Sequence, residues 1–274
     1  MNPVGLDYLT SFGMHPVQFV EIAAQAGAET IALPPHSMEP LPQGAARYSL
    51  LEDDGLCRDV RDCLRANGVR MAMLDGLAVW PGKSVSDYES SMDQLADMGV
   101  RLINTVSFDE FDRSLGEFEK LVDLAARWDM EVLLESCPVL TVRTLEQALG
   151  VVRRIGRDNF GIMIDTMHVC RTGEAELVAG LEPELVGYVQ ISDAPRAMPV
   201  DDAAYMEEAL YDRQIPGEGE LPLKEILSTI LPDVVVSAEV PLRSKWQEGW
   251  TPLQYAETVV SATRRLLSEC SPIS

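Results

Sequence analysis

The 274-residue chain lacks any apolar run that approaches the roughly 18 residues needed to span a membrane. Its N-terminus also lacks a basic segment followed by an apolar core and a small-residue cleavage site. The five cysteines are scattered, and no two of them form a Cys-X-X-Cys pair, so neither a disulfide framework nor a thiolate zinc site is indicated. These absences predict a protein of a reducing compartment, and we expect it to be cytoplasmic.

Positive charge is also scarce. The chain has 22 Lys and Arg residues against 44 Asp and Glu residues, which gives a formal net charge of −22. This charge repels phosphate backbones and anionic membranes, and no local cluster of basic residues outweighs it. The composition therefore predicts neither a nucleic-acid partner nor a membrane partner, while it is compatible with a homo-oligomer.

Short aliphatic runs alternate with longer amphipathic segments eight times along the chain. The predicted strands cover residues 4–8, 30–33, 70–74, 102–106, 131–135, 160–165, 186–191 and 234–239. Parallel strands need crossover connections, and eight β-then-α units are the number that closes a barrel. An open doubly wound sheet is the alternative, but the Gly-X-Gly-X-X-Gly pattern is missing after the first strand. We predict a single-domain (β/α)8 TIM barrel over residues 1–274.

Four of the predicted strands end in a side chain with an oxygen ligand: Glu135, Asp165, Gln190 and Glu239. In a TIM barrel, the carboxyl ends of the strands meet at the face that carries the chemistry. Desolvated carboxylates at that face repel one another, and a divalent cation removes the repulsion. Oxygen ligands without a thiolate favour Mn²⁺ or Mg²⁺, with Co²⁺ or Zn²⁺ as alternatives. The pattern predicts one divalent-metal site.

Two further side chains are candidates for contact with a substrate. His168 follows Asp165 by three residues on the same turn, where it would serve as a proton carrier or a substrate ligand. Arg213 closes the long connection 192–221 after the seventh strand, next to a stiff Pro-Gly-X-Gly turn. Its guanidinium can bind a substrate carboxylate or a pair of hydroxyls in a bidentate manner. An ordinary loop histidine and an ordinary surface turn are the alternative interpretations.

Aromatic and histidine side chains follow several of the predicted strands. Trp80, Trp246 and Trp250 lie past the ends of strands three and eight, where they would wall a pocket for a sugar-like molecule or cover the barrel rim. His15 and His36 follow strands one and two on the same side. Trp80 and His15 are therefore included among the predicted substrate-binding residues, although each is equally compatible with a loop role.

The order and spacing of these residues resembles the xylose-isomerase-like TIM-barrel superfamily, which contains sugar isomerases, epimerases and dehydratases. The resemblance spans essentially the whole chain, and its marks are Glu135, the Asp165-to-His168 run, the Gln190-to-Asp193 run, Arg213 with the Pro216-to-Gly219 turn, and Glu239. It implies that Glu135, Asp165, Gln190 and Glu239 ligate one divalent metal. It also implies that His168 and Arg213 contact the substrate.

One departure from the superfamily pattern concerns the seventh strand. The sugar epimerases usually carry a histidine at this position, and the Gln190 found here is similar to the bacterial 3-dehydroshikimate dehydratases. Endonuclease IV, a further relative, uses several histidines to bind three zinc ions. With only three histidines in the chain, a DNA-repair function is not expected.

The resemblance leaves three functions open. The first is an isomerase or epimerase that removes a proton beside the carbonyl of a keto-sugar or keto-polyol through an enediolate, with Glu135 and Glu239 as the acid/base pair. The second is a lyase of the 3-dehydroshikimate dehydratase type, which would act on a keto-acid with His168 as the base. The third is a barrel that binds a metabolite without catalysis.

Overall fold

The computed structural model describes residues 2–11, 13–38, 45 and 47–270. Eight parallel strands pair in chain order, and the last pairs with the first to close a barrel. The strands are β1 (Val4–Asp7), β2 (Thr30–Leu33), β3 (Arg70–Asp75), β4 (Leu102–Thr105), β5 (Glu131–Glu135), β6 (Phe160–Asp165), β7 (Val186–Ile191) and β8 (Val235–Ala238). The predicted TIM barrel is confirmed.

The helices surround the barrel. They are α1 (Pro16–Gln25), α2 (Asp54–Asn67), α3 (Met92–Met98), α4 (Phe111–Ala126), α5 (Leu145–Ile155), α6 (Thr166–Arg171), α7 (Ala175–Val178), α8 (Asp202–Tyr211), α9 (Leu223–Leu227), α10 (Arg243–Gln247) and α11 (Pro252–Glu269). Short 3₁₀ segments cover Tyr8–Ser11, Val85–Ser91 and Pro183–Leu185. None of the described helices is both long enough and apolar enough to cross a membrane.

Local sequence signals explain where several helices begin and end. The Thr144 side chain accepts a hydrogen bond from the backbone N–H of Gln147 at the start of α5, and Gly156 ends that helix in the left-handed region at φ 61°. Thr251 and Gln254 form a reciprocal capping box at the start of α11. These pairs satisfy backbone groups that the helix itself leaves without partners.

The connection 192–221 differs most from the prediction. The sequence pattern predicts a long connection without a helix, but the segment contains α8. The Asp201 carboxylate caps this helix by accepting a hydrogen bond from the N–H of Ala204, and the helix interior is rich in strong helix formers. Only Tyr205 and Ala209 of α8 are buried, so the sequence shows no broad apolar stripe from which the helix could be predicted.

Glycines at the β6 and β7 strands allow close packing. A Cβ atom built on Gly161 would lie 2.7 Å from the carbonyl oxygen of Leu185 and 3.2 Å from Leu133 Cδ2. The first neighbour is backbone, which cannot rotate away as a flexible side chain can. Gly161 therefore permits the close approach of the backbone at Leu185.

We expect Gly161→Ala to lower the free energy of unfolding by about 1–3 kcal/mol, the usual cost of overpacking. Gly150→Ala is the matched control, because Gly150 lies inside α5 with no atom within 4 Å of the added Cβ. That substitution should raise stability by about 0.5–1 kcal/mol through helix propensity. Urea denaturation measures both changes. Equal changes in the two variants would contradict the packing argument.

Candidate active site

Five carboxyl groups converge at the carboxyl ends of the barrel strands. Asp7, Asp75, Glu135 and Asp165 are the last residues of β1, β3, β5 and β6, and Glu239 directly follows β8. Asp7, Asp165 and Glu239 are buried, and the other two are half-buried. Carboxylates removed from water need cations or donors as partners, and the contacts of these side chains define the candidate site.

The only described Lys or Arg side chain that forms ion pairs with these carboxylates is Arg213. One terminal nitrogen of its buried guanidinium lies 2.7 Å from Asp165 Oδ2, and the other lies 2.9 Å from Glu239 Oε2. Its Nε donates to the carbonyl of Ala209. Burial acts to raise the pKa of Asp165, but the charge of Arg213 and the hydrogen bonds that the carboxylate accepts together outweigh it, so this pKa is held below its usual value.

Asp165 also fixes the position of His168. Its Oδ1 accepts hydrogen bonds from the backbone N–H groups of Met167, at 2.8 Å, and His168, at 3.1 Å. A strand that ends in a helix-capping aspartate therefore turns at once into α6, and the imidazole three residues later lies beside the carboxylate. The capped turn explains why the histidine follows the aspartate by three residues.

The imidazole of His168 lies between two elements. Its Nε2 is 3.4 Å from Glu135 Oε1, and its Nδ1 is 2.7 Å from the hydroxyl of Tyr205 on α8. Burial lowers the pKa of His168 to about 4, against the opposing charge of Asp165. The ring is therefore neutral near pH 7 and has one N–H donor and one acceptor nitrogen.

Two amide side chains connect the carboxylates on the other strands. Asn104 Nδ2 donates to Asp75 Oδ1 at 2.7 Å and to Glu135 Oε2 at 2.9 Å. Gln190 Nε2 donates to Glu239 Oε1 at 3.1 Å and to Asp75 Oδ2 at 3.4 Å. The amide nitrogen of Gln190 thus faces the carboxylates, and a rotation of the amide would present its oxygen instead.

The carboxylates outnumber the cations, and their pKa values reflect this. Burial, followed by the charges of Asp75 and Asp165, raises the pKa of Glu135 to about 8. Burial also raises the pKa of Glu239 well above its usual value, although Arg213 opposes the shift. Burial and the charge of Asp75 raise the pKa of Asp7 to about 7. The carboxyl groups that Arg213 does not neutralise therefore tend to hold protons unless a further cation is present.

A divalent cation fits this donor set. Glu135, Asp165 and His168 each place one ligand atom within 4.8 Å of the others. The buried Asn104 Oδ1 has no hydrogen-bond partner among the described residues, although Nδ2 of the same amide donates to Glu135. Carboxylate oxygens suit Mg²⁺ or Mn²⁺, whereas an imidazole nitrogen suits Zn²⁺. The side chains of Glu135, Asp165 and His168 therefore form a possible metal site.

The structure brings together six of the residues predicted from the sequence: Glu135, Asp165, His168, Gln190, Arg213 and Glu239. The residues that contact them and were not predicted from the sequence are Asp75, Asn104 and Tyr205. Asp75 shows the same signal as the others, an apolar strand that ends in a carboxylate, but the third strand was predicted to end one residue earlier. Tyr205 carries no such signal because the helix that holds it was not predicted.

The predicted aromatic and histidine residues lie farther out on the barrel. Trp80 is 37% exposed and stacks on Phe108, with ring centroids 4.3 Å apart. Trp80 and the exposed His36 line a cavity of about 440 Å³. His15 is exposed at the start of α1 and makes no side-chain capping hydrogen bond. No described hydrogen bond or ion pair joins Trp80 or His15 to the buried carboxylates.

Trp246 and Trp250 both lie against one aromatic side chain of α11. Each indole packs edge-on against Tyr255, with ring centroids 6.0 and 6.3 Å apart, respectively. Trp246 remains 37% exposed. These contacts connect the segment after β8 to the helical layer.

Comparison with known proteins identifies relatives that share this fold. An inosose isomerase of Bacillus velezensis is 24% identical over 235 residues, which cover 78% of this chain and 78% of the relative. A 3-dehydroshikimate dehydratase of Pseudomonas aeruginosa is 29% identical over 199 residues, which cover 66% of this chain but only 30% of that longer relative.

Solved structures agree on the architecture. The crystal structure of an IolI protein with a bound zinc atom matches 99% of this chain and 100% of its own, with a TM-score of 0.80 and 19% identity. A D-psicose 3-epimerase with D-fructose matches 97% of this chain and 99% of its own, with a TM-score of 0.71 and 15% identity. The family model for the xylose isomerase-like TIM barrel matches residues 20–264. The chain therefore belongs to the xylose isomerase-like TIM barrel family.

Proposed function

We propose that this protein is a divalent-metal-dependent isomerase or epimerase that moves a proton beside the carbonyl of a keto-sugar or keto-polyol. The observation that carries the proposal is the convergence of oxygen ligands at the strand ends, where ligand atoms of Glu135 and Asp165 lie within 4.8 Å of each other and Gln190 contacts Glu239. An inosose isomerase among the relatives supports the reaction class. Inosose is a keto-cyclitol, so it belongs to the proposed substrate class.

The proposed ligands of the cation are Glu135, Asp165, Gln190 and Glu239, and Mn²⁺ or Mg²⁺ suits an oxygen-rich set best. When bound, a divalent cation supplies Lewis-acid stabilisation of negative charge on substrate oxygens. Arg213 would keep Asp165 ionised, since its guanidinium contacts Oδ2 of that carboxylate. His168 would contact the substrate from the turn that follows β6.

Glu135 and Glu239 are the proposed acid/base pair. They lie at the ends of β5 and β8, with β6 and β7 between them, so they approach a bound substrate from different directions. Burial raises the pKa of both groups, which strengthens their carboxylates as bases. One carboxylate can remove the proton, and the other, once protonated, can return it to another carbon or another face.

The charges of the site favour a neutral substrate. Arg213 is already held by Asp165 and Glu239, and no other described Lys or Arg forms an ion pair with the five carboxyl groups. A substrate carboxylate would add negative charge without a free partner. A polyhydroxy ketone instead supplies hydroxyl donors to these oxygens. Trp80 and His15 remain proposed contacts at the outer rim.

Metal removal and reloading in D2O tests the proposal. Protein stripped with a chelator and reloaded with Mg²⁺, Mn²⁺, Co²⁺ or Zn²⁺ is mixed with a panel of ketoses and keto-cyclitols, and NMR follows exchange of the α-proton. We expect exchange with the loaded protein and none with the stripped protein. Absence of exchange across the whole panel with every metal would refute the isomerase function.

A dehydratase is the second candidate, because Gln190 stands where sugar epimerases usually carry a histidine and a 3-dehydroshikimate dehydratase is among the relatives. Loss of water from 3-dehydroshikimate forms a conjugated product. A metal-dependent rise in ultraviolet absorbance on addition of this compound would favour the lyase, with His168 as the base, and a flat trace would count against it.

A non-catalytic barrel is the third candidate, and metal binding separates it from the two enzymes. Such a barrel would not need to keep three carboxylates together at a cost in repulsion. Absence of bound divalent ion after gentle purification, together with no thermal shift on addition of Mn²⁺, would favour a protein that binds a metabolite without turnover.

A further inference from the structure

Helix α8 is attached firmly to the residues around the candidate site. The guanidinium of Arg171, at the end of α6, forms a two-point ion pair with the carboxylate of Glu208. The side chain of Arg171 is 2% exposed, and that of Glu208 is 14% exposed. The carbonyl of Ala209 accepts a hydrogen bond from Arg213 Nε at 2.8 Å. Both contacts hold α8 about one helical turn after Tyr205.

The hydroxyl of Tyr205 lies between two buried polar groups. It is 2.7 Å from His168 Nδ1 and 3.6 Å from the sulfur of Cys137. The tyrosine is itself buried, so water does not compete freely for these contacts. Because the attachments of α8 hold the phenol in place, the short contact to Nδ1 restrains rotation of the imidazole ring.

The other ring nitrogen determines the direction of these hydrogen bonds. His168 Nε2 lies 3.4 Å from Glu135 Oε1, and when Glu135 is ionised, as a metal ligand would be, its oxygens can only accept hydrogen bonds. The consistent arrangement places the ring proton on Nε2, facing Glu135. Nδ1 is then an acceptor, and the Tyr205 hydroxyl is the donor that occupies it.

We propose that Tyr205 is a positioning residue that fixes His168 in the Nε2–H tautomer and aims that N–H at the strand ends. In the reaction proposed above, on which this role rests, His168 then donates a hydrogen bond to a substrate oxygen. It does not act as a base through Nε2, and removal of the carbon-bound proton falls to a carboxylate. The partner on the far side of a histidine commonly selects its tautomer in this way.

Nitrogen NMR of the histidine rings tests this role without a turnover assay. The chain has three histidines, so ¹⁵N-histidine labelling gives one ring spectrum for each of His15, His36 and His168. In Mg²⁺-loaded protein, we expect the His168 ring to show a single Nε2–H tautomer. In Tyr205→Phe, that ring should show averaged tautomers, while the His15 and His36 signals stay unchanged as internal references.

Tyr211→Phe is the matched control. It removes a hydroxyl from the same helix, and the Tyr211 hydroxyl has no described hydrogen bond; the contact described for its ring is with the guanidinium of Arg243. This control should leave the His168 spectrum as in the parent protein. Unchanged His168 tautomers in Tyr205→Phe, or the same change in both variants, would overturn the positioning role.

Kinetics give the second readout. We expect kcat for α-proton exchange to fall about 10- to 100-fold in Tyr205→Phe, as for loss of other histidine-orienting partners, with a much smaller change in KM. A parent protein that exchanges no substrate proton would refute the isomerase function, while the NMR result would still decide the role of Tyr205. If Tyr205→Phe alters the His168 tautomers but leaves kcat unchanged, the tautomer of His168 does not contribute to the rate of proton exchange.

Discussion

Glu135→Gln is expected to lower the rate of α-proton exchange by about 10²- to 10⁴-fold, the usual contribution of a positioned acid/base group. The substitution preserves the size of the side chain and removes its negative charge. It therefore removes a proposed metal ligand and one of the two proposed proton carriers together. Divalent-ion affinity, measured by titration calorimetry on the stripped protein, should fall in parallel with turnover.

Glu131→Gln is the matched control for this substitution. Glu131 is the first residue of the same strand, β5, and its side chain is exposed at the opposite end of the barrel. The control should retain both the exchange rate and the metal affinity of the parent protein. A Glu135→Gln protein that keeps both properties would remove Glu135 from the proposed site.

Arg213→Met is expected to lower the free energy of unfolding of the metal-free protein by about 3–5 kcal/mol, the usual cost of breaking a buried ion pair. Methionine approximates the length of the arginine stem but leaves Asp165 and Glu239 buried without their cation. Chemical denaturation measures the loss. We expect saturating Mg²⁺ or Mn²⁺ to recover part of it, because a cation bound to the folded state replaces the missing charge.

Arg157→Met provides the comparison for Arg213→Met. Arg157 also pairs with two carboxylates, those of Glu119 and Asp123, but all three side chains are largely exposed. Exposed ion pairs contribute little because water and salt screen them, so the loss should be far smaller and insensitive to the divalent ion. Similar losses in the two variants would contradict the argument from burial.

The contacts of Arg213 show which part of its role could be predicted from the sequence. Its place beside a Pro-Gly-X-Gly turn marked it as a candidate for the substrate, but it is the tertiary structure that places its guanidinium between Asp165 and Glu239. Those carboxylates lie 48 and 26 positions away in the chain, and no local pattern reports such a contact. Arg213 therefore has a structural role in this site besides any contact with substrate.

Asp75 and Tyr205 mark two different limits of prediction. Asp75 ends an apolar strand, as the other site carboxylates do. It was not predicted because the predicted strand ends one residue earlier, and strand boundaries are where local signals are weakest. Tyr205 followed no pattern, because α8 buries few residues and packs through an ion pair and a hydrogen bond. Contacts of this kind leave no periodic signal in the sequence.

Local sequence patterns predicted the eight βα units, the face on which the chemistry should lie, and the carboxylates that end β5 and β6 and follow β8. Hydrophobic periodicity and the closure of eight parallel strands suffice for these conclusions, because both act through local chain geometry. The side chains that neutralise, orient and bridge those carboxylates can be identified only in the folded protein. These partners come from elements that are far apart in the sequence. Residues of β3, β4 and α8 meet at the strand ends only after the chain has folded.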